Sequence, residues 1–407
     1  MLDYGKLNRI YVIRPEPSPL IIVIFRARFK RRTDRVKIVN TLQHHLTQGN
    51  VAPAQYVRSC QIALAQSISG RHKIYLDTRY WILFRDVILG RRTDKPLVDL
   101  LDQIRSAVRS NLAICPISQD SFAEIFVQND PATLATTVKL VDELSRGICL
   151  TEYFTRLNTE IYHFMVQKTK GDDAVHDPDQ LVWTKCGYVL GYVAPKNDRW
   201  PIDYSNAIEK AFFDQMWAVT FSDFLDYLGN CPDWKIDPTS VDQMNVGKFA
   251  NDDDFNSFKK LFMIELAGTL DVLQESLAEI MDSMYLSAFG DNADPNGCPD
   301  PATGKMAANV IYHAFRLNKL KDELPTLRTY VTLHAALRWD RKRKYKPNDL
   351  ADIRHAAMAL PYCDTFLTEG PLCSLLHEKH LKLTDSFSCR SFSDPDLALK
   401  HLRESGV

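Results

Sequence analysis

Neither sign of charge dominates this chain: 50 Lys and Arg stand against 51 Asp and Glu, a formal net charge of −1 over 407 residues. No global field advertises a nucleic-acid partner, so any such partner must be met by a local patch. Long apolar runs are missing too. Near the N-terminus the longest is Leu20 to Phe25, too short to span a bilayer. Arg and Lys follow it at once, unlike a signal peptide, and no membrane partner is expected. The nine cysteines are odd in number and include no C-x-x-C pair. That argues against a disulfide framework and a structural zinc site, and points to a reducing, cytoplasmic compartment. Low-complexity tracts and internal repeats are also absent.

What is there is ordinary globular composition, 45% hydrophobic and 25% charged, in a chain long enough for two or three domains or one core with a large insertion. Residues 1–70 read as an N-terminal extension. Ten Lys or Arg against three acids lie between Met1 and Lys37, clustered at Arg26–Arg32; this is either a basic arm or an accessory leader. From Lys73 the pattern becomes strand, helix, strand, helix. Lys73–Asp77 is a short β-type run, and Leu97–Ser110 has apolar residues at helical spacing. Leu112–Ile117 is a second buried strand, and Ser118 or Asp120 caps a helix to about Gln128. Asp130-Pro131 starts a further helix ending at Gly147, and Ile148–Leu150 is a third strand. This predicts an α/β unit with a parallel sheet over 71–150. Residues 151–320 read as an all-α insertion, with long helices over Ala207–Leu228 and Phe255–Phe289 and a turn-rich loop over Gly290–Pro301. The α/β character returns over 321–407: a helix from Leu324 to about Trp339, another from Pro347, and a strand over Asp364–Thr368.

Four acids fall where a parallel sheet collects side chains, at strand ends and helix starts along one edge. Asp77 ends the first strand, Glu124 and Asp352 lie in the first turns of their helices, and Glu369 follows the last strand, with Asp364 at that strand's start. Each has a plainer role open to it. Asp77 suits the end of a strand as a turn residue, Glu124 and Asp352 suit a helix dipole, and Asp349 suits an N-cap. Convergence without a cation is costly, since two carboxylates about 4 Å apart repel by about 4 kcal/mol at an effective dielectric of about 20. Hard oxygen ligands without Cys or His suit Mg²⁺ or Mn²⁺ and the hydrolysis of a phosphodiester.

The segments around these acids resemble the PIN domain family. Ile74-Tyr-Leu-Asp-Thr78 looks like the family's opening strand with its Asp-Thr, Thr78 included. Ser118-Gln-Asp-Ser-Phe-Ala-Glu124-Ile resembles its Ser-to-Glu segment. Asp352-Ile-Arg-His-Ala-Ala-Met-Ala359 resembles its Asp-bearing Ala-rich helix, and Asp364-Thr-Phe-Leu-Thr-Glu369 its strand ending in Thr and an acid. All four occur in the family's order, over roughly 73–150 and 322–400. The resemblance implies a three-layer fold around a central parallel sheet, and a nuclease acting on RNA or single-stranded nucleic acid. It implies that Asp77, Glu124, Asp352 and Glu369 hold Mg²⁺ or Mn²⁺, and that cleavage by water leaves 5′-phosphate and 3′-hydroxyl ends. Three positions depart from the family. Arg79 stands where Asn is common, His355 replaces an aliphatic residue, and Glu369 replaces Asp, which leaves Asp364 as an alternative fourth ligand. His355 is either a group that orients a phosphate or a carboxylate, or a satisfied core histidine.

Arg338-Trp-Asp-Arg-Lys-Arg-Lys-Tyr-Lys346 has six cations in nine residues, immediately before the helix of Asp352. Arg338, Arg341, Lys342, Arg343, Lys344 and Lys346 suit phosphate contacts, and Trp339 or Tyr345 a stacked base; a solvated helix end is the other reading. Two further functions remain open. One is a non-catalytic PIN-like binding or scaffold protein, whose helical insertion meets a protein partner or a second copy of the chain. The other is a metal-independent RNase, since Arg328 and His334 have an R-x₅-H spacing similar to the HEPN nuclease motif.

Overall fold

A computed structural model describes residues 39–49, 51–170, 176–197, 199–231, 241–242, 244–246, 248, 256–289, 301–320 and 322–407. The basic segment Arg26–Arg32 and nearly all of the Gly290–Pro301 loop lie outside the described residues.

Among the described residues six short strands organise the fold: β1 (His72–Leu76), β2 (Ala113–Ile114), β3 (Ile148–Leu150), β4 (Trp183–Lys185), β5 (Thr365–Leu367) and β6 (Arg390–Phe392). Four of them form a parallel sheet in the order β2-β1-β5-β6. β1 pairs with β5 across most of the chain length, Ile74 opposite Thr365 and Leu76 opposite Leu367. Beyond β2, Ile117 bridges in parallel to Cys149, and β3 pairs antiparallel with β4. The segment 151–320 is therefore not wholly helical: its Trp183-Thr-Lys strand covers an edge that β3 would otherwise leave open.

Side chains alternate across the sheet as the pleat requires. Ile74, Leu76 and Leu367 face a core built with the helices Thr78–Ile88, Lys95–Arg109, Gln119–Phe126, Pro131–Ser145 and Pro395–Glu404. Tyr75, Ile114 and Phe366 face the opposite core, built with Pro53–Ile68, Pro325–Trp339 and Pro347–Tyr362. Helix, sheet and helix thus form three layers. A third core joins the helices of residues 153–170, 258–289 and 301–316 to Leu327 and Val331. The Pro325–Trp339 helix takes part in two cores, since its Leu333, Ala336 and Leu337 pack on the sheet side.

Local chemistry sets the element ends. Ser118 Oγ accepts the Ser121 N–H at 3.1 Å, and Asp130 accepts the Thr133 N–H at 2.8 Å, so both helices begin where their caps predict. Arg146 and Gly147 take positive φ, 51° and 70°, and stop the second one before β3. Two long helices expected from periodicity are each broken. Ala207–Leu228 divides into Ile202–Trp217 and Phe221–Leu228, because Thr220 and Asp223 form a capping box that starts a new helix. The stretch ending at Phe289 divides at Leu273, whose backbone leaves the helical region with ψ 1°. Among the described residues no helix is long and apolar enough to cross a membrane.

Candidate active site

The carboxyl edge of the parallel sheet gathers side chains from four separate segments. Asp77 directly follows β1, and its N–H donates to the Leu367 carbonyl at 3.0 Å, which seats it beside the end of β5. One carboxylate oxygen accepts the Arg79 N–H at 3.1 Å. The other accepts the Thr368 hydroxyl at 2.8 Å. The side chain is buried and cannot swing away.

Asp352 lies in the second turn of the Pro347–Tyr362 helix, which runs antiparallel to the strand it precedes and so starts at the same edge. Asp349, expected as the cap, is instead a first-turn residue: its carboxylate accepts the Lys346 N–H at 2.8 Å, because Pro347 occupies the first helical position. Burial first, then the charges of Asp77 and Glu369, push the Asp352 carboxyl up to about 7, against an opposing pull from His355. The charges of neighbouring acids thus add to the burial penalty on Asp352. Glu369, half-buried, caps the Gly370–Leu376 helix through its backbone only, leaving its carboxylate uncommitted to that helix.

Glu124 belongs to an adjoining network. It accepts a short hydrogen bond from Thr78 Oγ1 and lies 3.3 Å from His355 Nε2. His355 Nδ1 is 2.7 Å from the Tyr75 hydroxyl, which is 2.7 Å from Ser118 Oγ. Burial opposes an imidazolium here, but Tyr75 and then the Glu124 carboxylate outweigh it and raise His355 well above its ordinary value. Both ring nitrogens then donate, Nε2–H to Glu124 and Nδ1–H to Tyr75, whose own proton passes to Ser118. Glu124 is correspondingly lowered, by His355 and Thr78 against its burial. His355 is therefore neither a plain core residue nor a surface ligand; it is the post on which Glu124 is mounted.

Asp364 is not part of this edge. Its carboxylate accepts the Lys73 N–H at 2.7 Å at the opposite end of the strand pair, four residues from Thr368 and so about 13 Å away at roughly 3.3 Å per residue. Of Asp364 and Glu369, only Glu369 follows the carboxyl end of β5. Arg328 and His334 are not brought together either. Six residues apart, they are separated by about 120° around their helix and by about 9 Å along it. Arg328 donates to the Leu320 carbonyl at 3.4 Å, and buried His334 packs on Tyr330.

The cation-rich segment is partly committed to structure. Arg338 pairs with Glu265 at 2.6 Å and Arg343 with Asp349 at 2.6 Å. Buried Lys248 donates to the carbonyls of Leu337, Asp340 and Arg343 and ties the loop down. Arg341, Lys342, Lys344 and Lys346 are exposed. Tyr345 is buried with its hydroxyl on the His334 carbonyl, so it offers no face to a base; Trp339 is 38% exposed.

Sequence reasoning missed Thr368, Tyr75 and the Asp120–Arg354 ion pair. Thr368 and Arg354 lay inside the segments that carry the PIN resemblance, but nothing in their spacing announces which carboxylate each meets.

Among the described residues no three His, Cys, Asp or Glu side chains are already gathered around one point as a metal shell. No family model, no curated protein and no solved structure matches this chain.

Proposed function

We propose that this edge is the active site of a PIN-like, metal-dependent nuclease that hydrolyses phosphodiester bonds in RNA or single-stranded DNA. The observation that carries the reading is that Asp77 follows β1, Glu369 follows β5 with only Thr368 between, and Asp352 comes from a helix start at the same edge, where the charges of Asp77 and Glu369 act on it. Their donor chemistry fits Mg²⁺ or Mn²⁺: carboxylate oxygens only, with excess negative charge and no thiolate. Asp77, Asp352 and Glu369 would hold the ion, with Glu124 at its side. When bound, such an ion supplies an activated water and offsets charge on the leaving oxygen.

The chain's own residues do the rest. Thr368 and the Arg79 N–H fix the Asp77 carboxylate in one orientation. Thr78 and His355 do the same for Glu124 from beneath, so two of the acids are ordered before anything binds. The exposed Arg341, Lys342, Lys344 and Lys346 lie just ahead of the Asp352 helix and suit contact with the strand's phosphates. The test is purified protein against labelled single-stranded RNA and DNA with Mn²⁺, with Asp77→Asn alongside. Cleavage by the wild type and its loss in the variant, with binding retained, are expected. Indistinguishable behaviour of the two proteins would sink the proposal, and cleavage that survives EDTA would point to a metal-independent enzyme.

A further inference from the structure

We infer that Arg354 is a phosphate-binding residue, holding the backbone of a single-stranded nucleic acid beside the carboxylates; this rests on the nuclease reading above. Arg354 lies between Asp352 and His355 on one helix. Its Nε donates to one oxygen of Asp120, which lies one helical turn before Glu124 on the facing helix. Asp120 is buried, and its other oxygen has no partner. The ion pair therefore fixes the guanidinium through one edge only. Both Nη groups remain accessible, and no acceptor among the described residues meets them. The side chain is 32% exposed, and its charge acts on Glu124.

That arrangement suits an oxyanion. A guanidinium presents its donors in a planar fork that matches two phosphate oxygens at once. With Nε already anchored, little side-chain freedom is lost when a ligand arrives. A cleft of carboxylates repels a phosphodiester, so a cation must stand at its wall. Of the cations nearby, Arg338 and Arg343 are held in ion pairs with Glu265 and Asp349, whereas Arg354 keeps its fork open next to Glu124. Asp120 offsets most of the charge at long range, so the residue acts by direction at short range. A bound strand would cross between the Gln119–Phe126 and Pro347–Tyr362 helices.

The experiment measures anisotropy of fluorescein-labelled single-stranded RNA and DNA with the full chain across a salt series, together with cleavage kinetics in Mn²⁺. Arg354→Gln is expected to raise Kd and KM about tenfold with kcat changed less than about threefold, and to lower the slope of log K against log salt by about one. Arg354→Lys keeps the slope and recovers part of the affinity, because an ammonium cannot form the bidentate contact. The double variant Asp120→Asn with Arg354→Gln removes the buried carboxylate that Arg354→Gln would orphan; it restores thermal stability without restoring affinity. Unchanged Kd and salt slope in a folded Arg354→Gln protein, while the wild type binds and cuts, overturns this assignment alone. A wild type that binds neither RNA nor DNA overturns it together with the nuclease reading. Recovery of affinity in the double variant would show a structural role only, and overturn it as well.

Discussion

The strand pair β1–β5 carries an aspartate at each end, and the two are treated oppositely. At the amino end Asp364 is absorbed into the backbone: it accepts from Lys73 N, donates its own N–H to the Lys73 carbonyl at 2.9 Å, and passes its carbonyl to Arg390 N. It staples three strands. At the carboxyl end Asp77 is oriented just as firmly, yet it lies among acids: burial, and then the charges of Asp77 and Glu369, raise the Asp352 carboxyl. One acid stabilises the fold; the other belongs to an arrangement that costs the fold free energy. Such an expense is the mark of a working site, because structural acids are placed where donors meet them.

The two ends of the strand pair should differ most in activity. Asp77→Asn and Asp352→Asn should each lower cleavage of single-stranded RNA by about a hundredfold or more, the scale of losing one precisely held polar group at a reacting centre. Asp364→Asn should cut at the wild-type rate. Equal losses at both ends of the strands would mean that the two edges do not differ as described.

A second prediction sets the cleft against a carboxyl buried away from it. Glu160, 2% exposed, accepts from Thr326 N and the Tyr362 hydroxyl, and burial raises its carboxyl to about 7. Its folded value lies above the ordinary 4.5, so the protonated form favours the folded state. That contribution is complete below about pH 4.5 and is lost as pH rises through 7, at most about 3 kcal/mol for a shift of this size. Denaturant titrations from pH 5 to 8 should show it, and Glu160→Gln should flatten that part of the profile. A steeper fall with pH in the variant would refute the assignment.

Smaller effects follow for divalent ions and for the staple. Mn²⁺ at about ten times its dissociation constant should stabilise the wild type by about 1.4 kcal/mol, visible as a rise in Tm, with little rise in Asp352→Asn. A rise of the same size in both proteins would place the ion elsewhere. Asp364→Ala, which removes one hydrogen bond to Lys73 N, should cost about 1 kcal/mol, and no measurable cost would deny it the stapling role.

Much of the frame was legible in the residues. β1, β3 and β5, the caps at Ser118 and Asp130, and the positions of Asp77, Glu124 and Asp352 follow from short-range rules: apolar runs, capping chemistry, and the convergence of strand ends in parallel sheets. β4 and β6 are no shorter than β3 and β5, but Trp183-Thr-Lys and Arg390-Ser-Phe form no apolar run that marks a buried strand. The choice of Glu369 over Asp364 needed the register of β5 against β1, which no local pattern encodes. The supports of the site are contacts between residues far apart in the chain: Thr368 with Asp77, Tyr75 with His355, Arg354 with Asp120. A single sequence holds no record of such pairings, whereas the backbone path decides them at once.

The Pro325–Trp339 helix has a consequence for anyone who would dissect the chain. Because Leu327 and Val331 lie in one core and Leu333, Ala336 and Leu337 in another, the seam between insertion and sheet runs along a rod and not through a linker. Excising 151–320 would strip one stretch of that rod bare, leaving Leu327 and Val331 in water. The two parts should therefore melt in a single cooperative transition. A load applied to the insertion would also be carried by that rod to the wall behind Asp352, as a tiller moves a rudder.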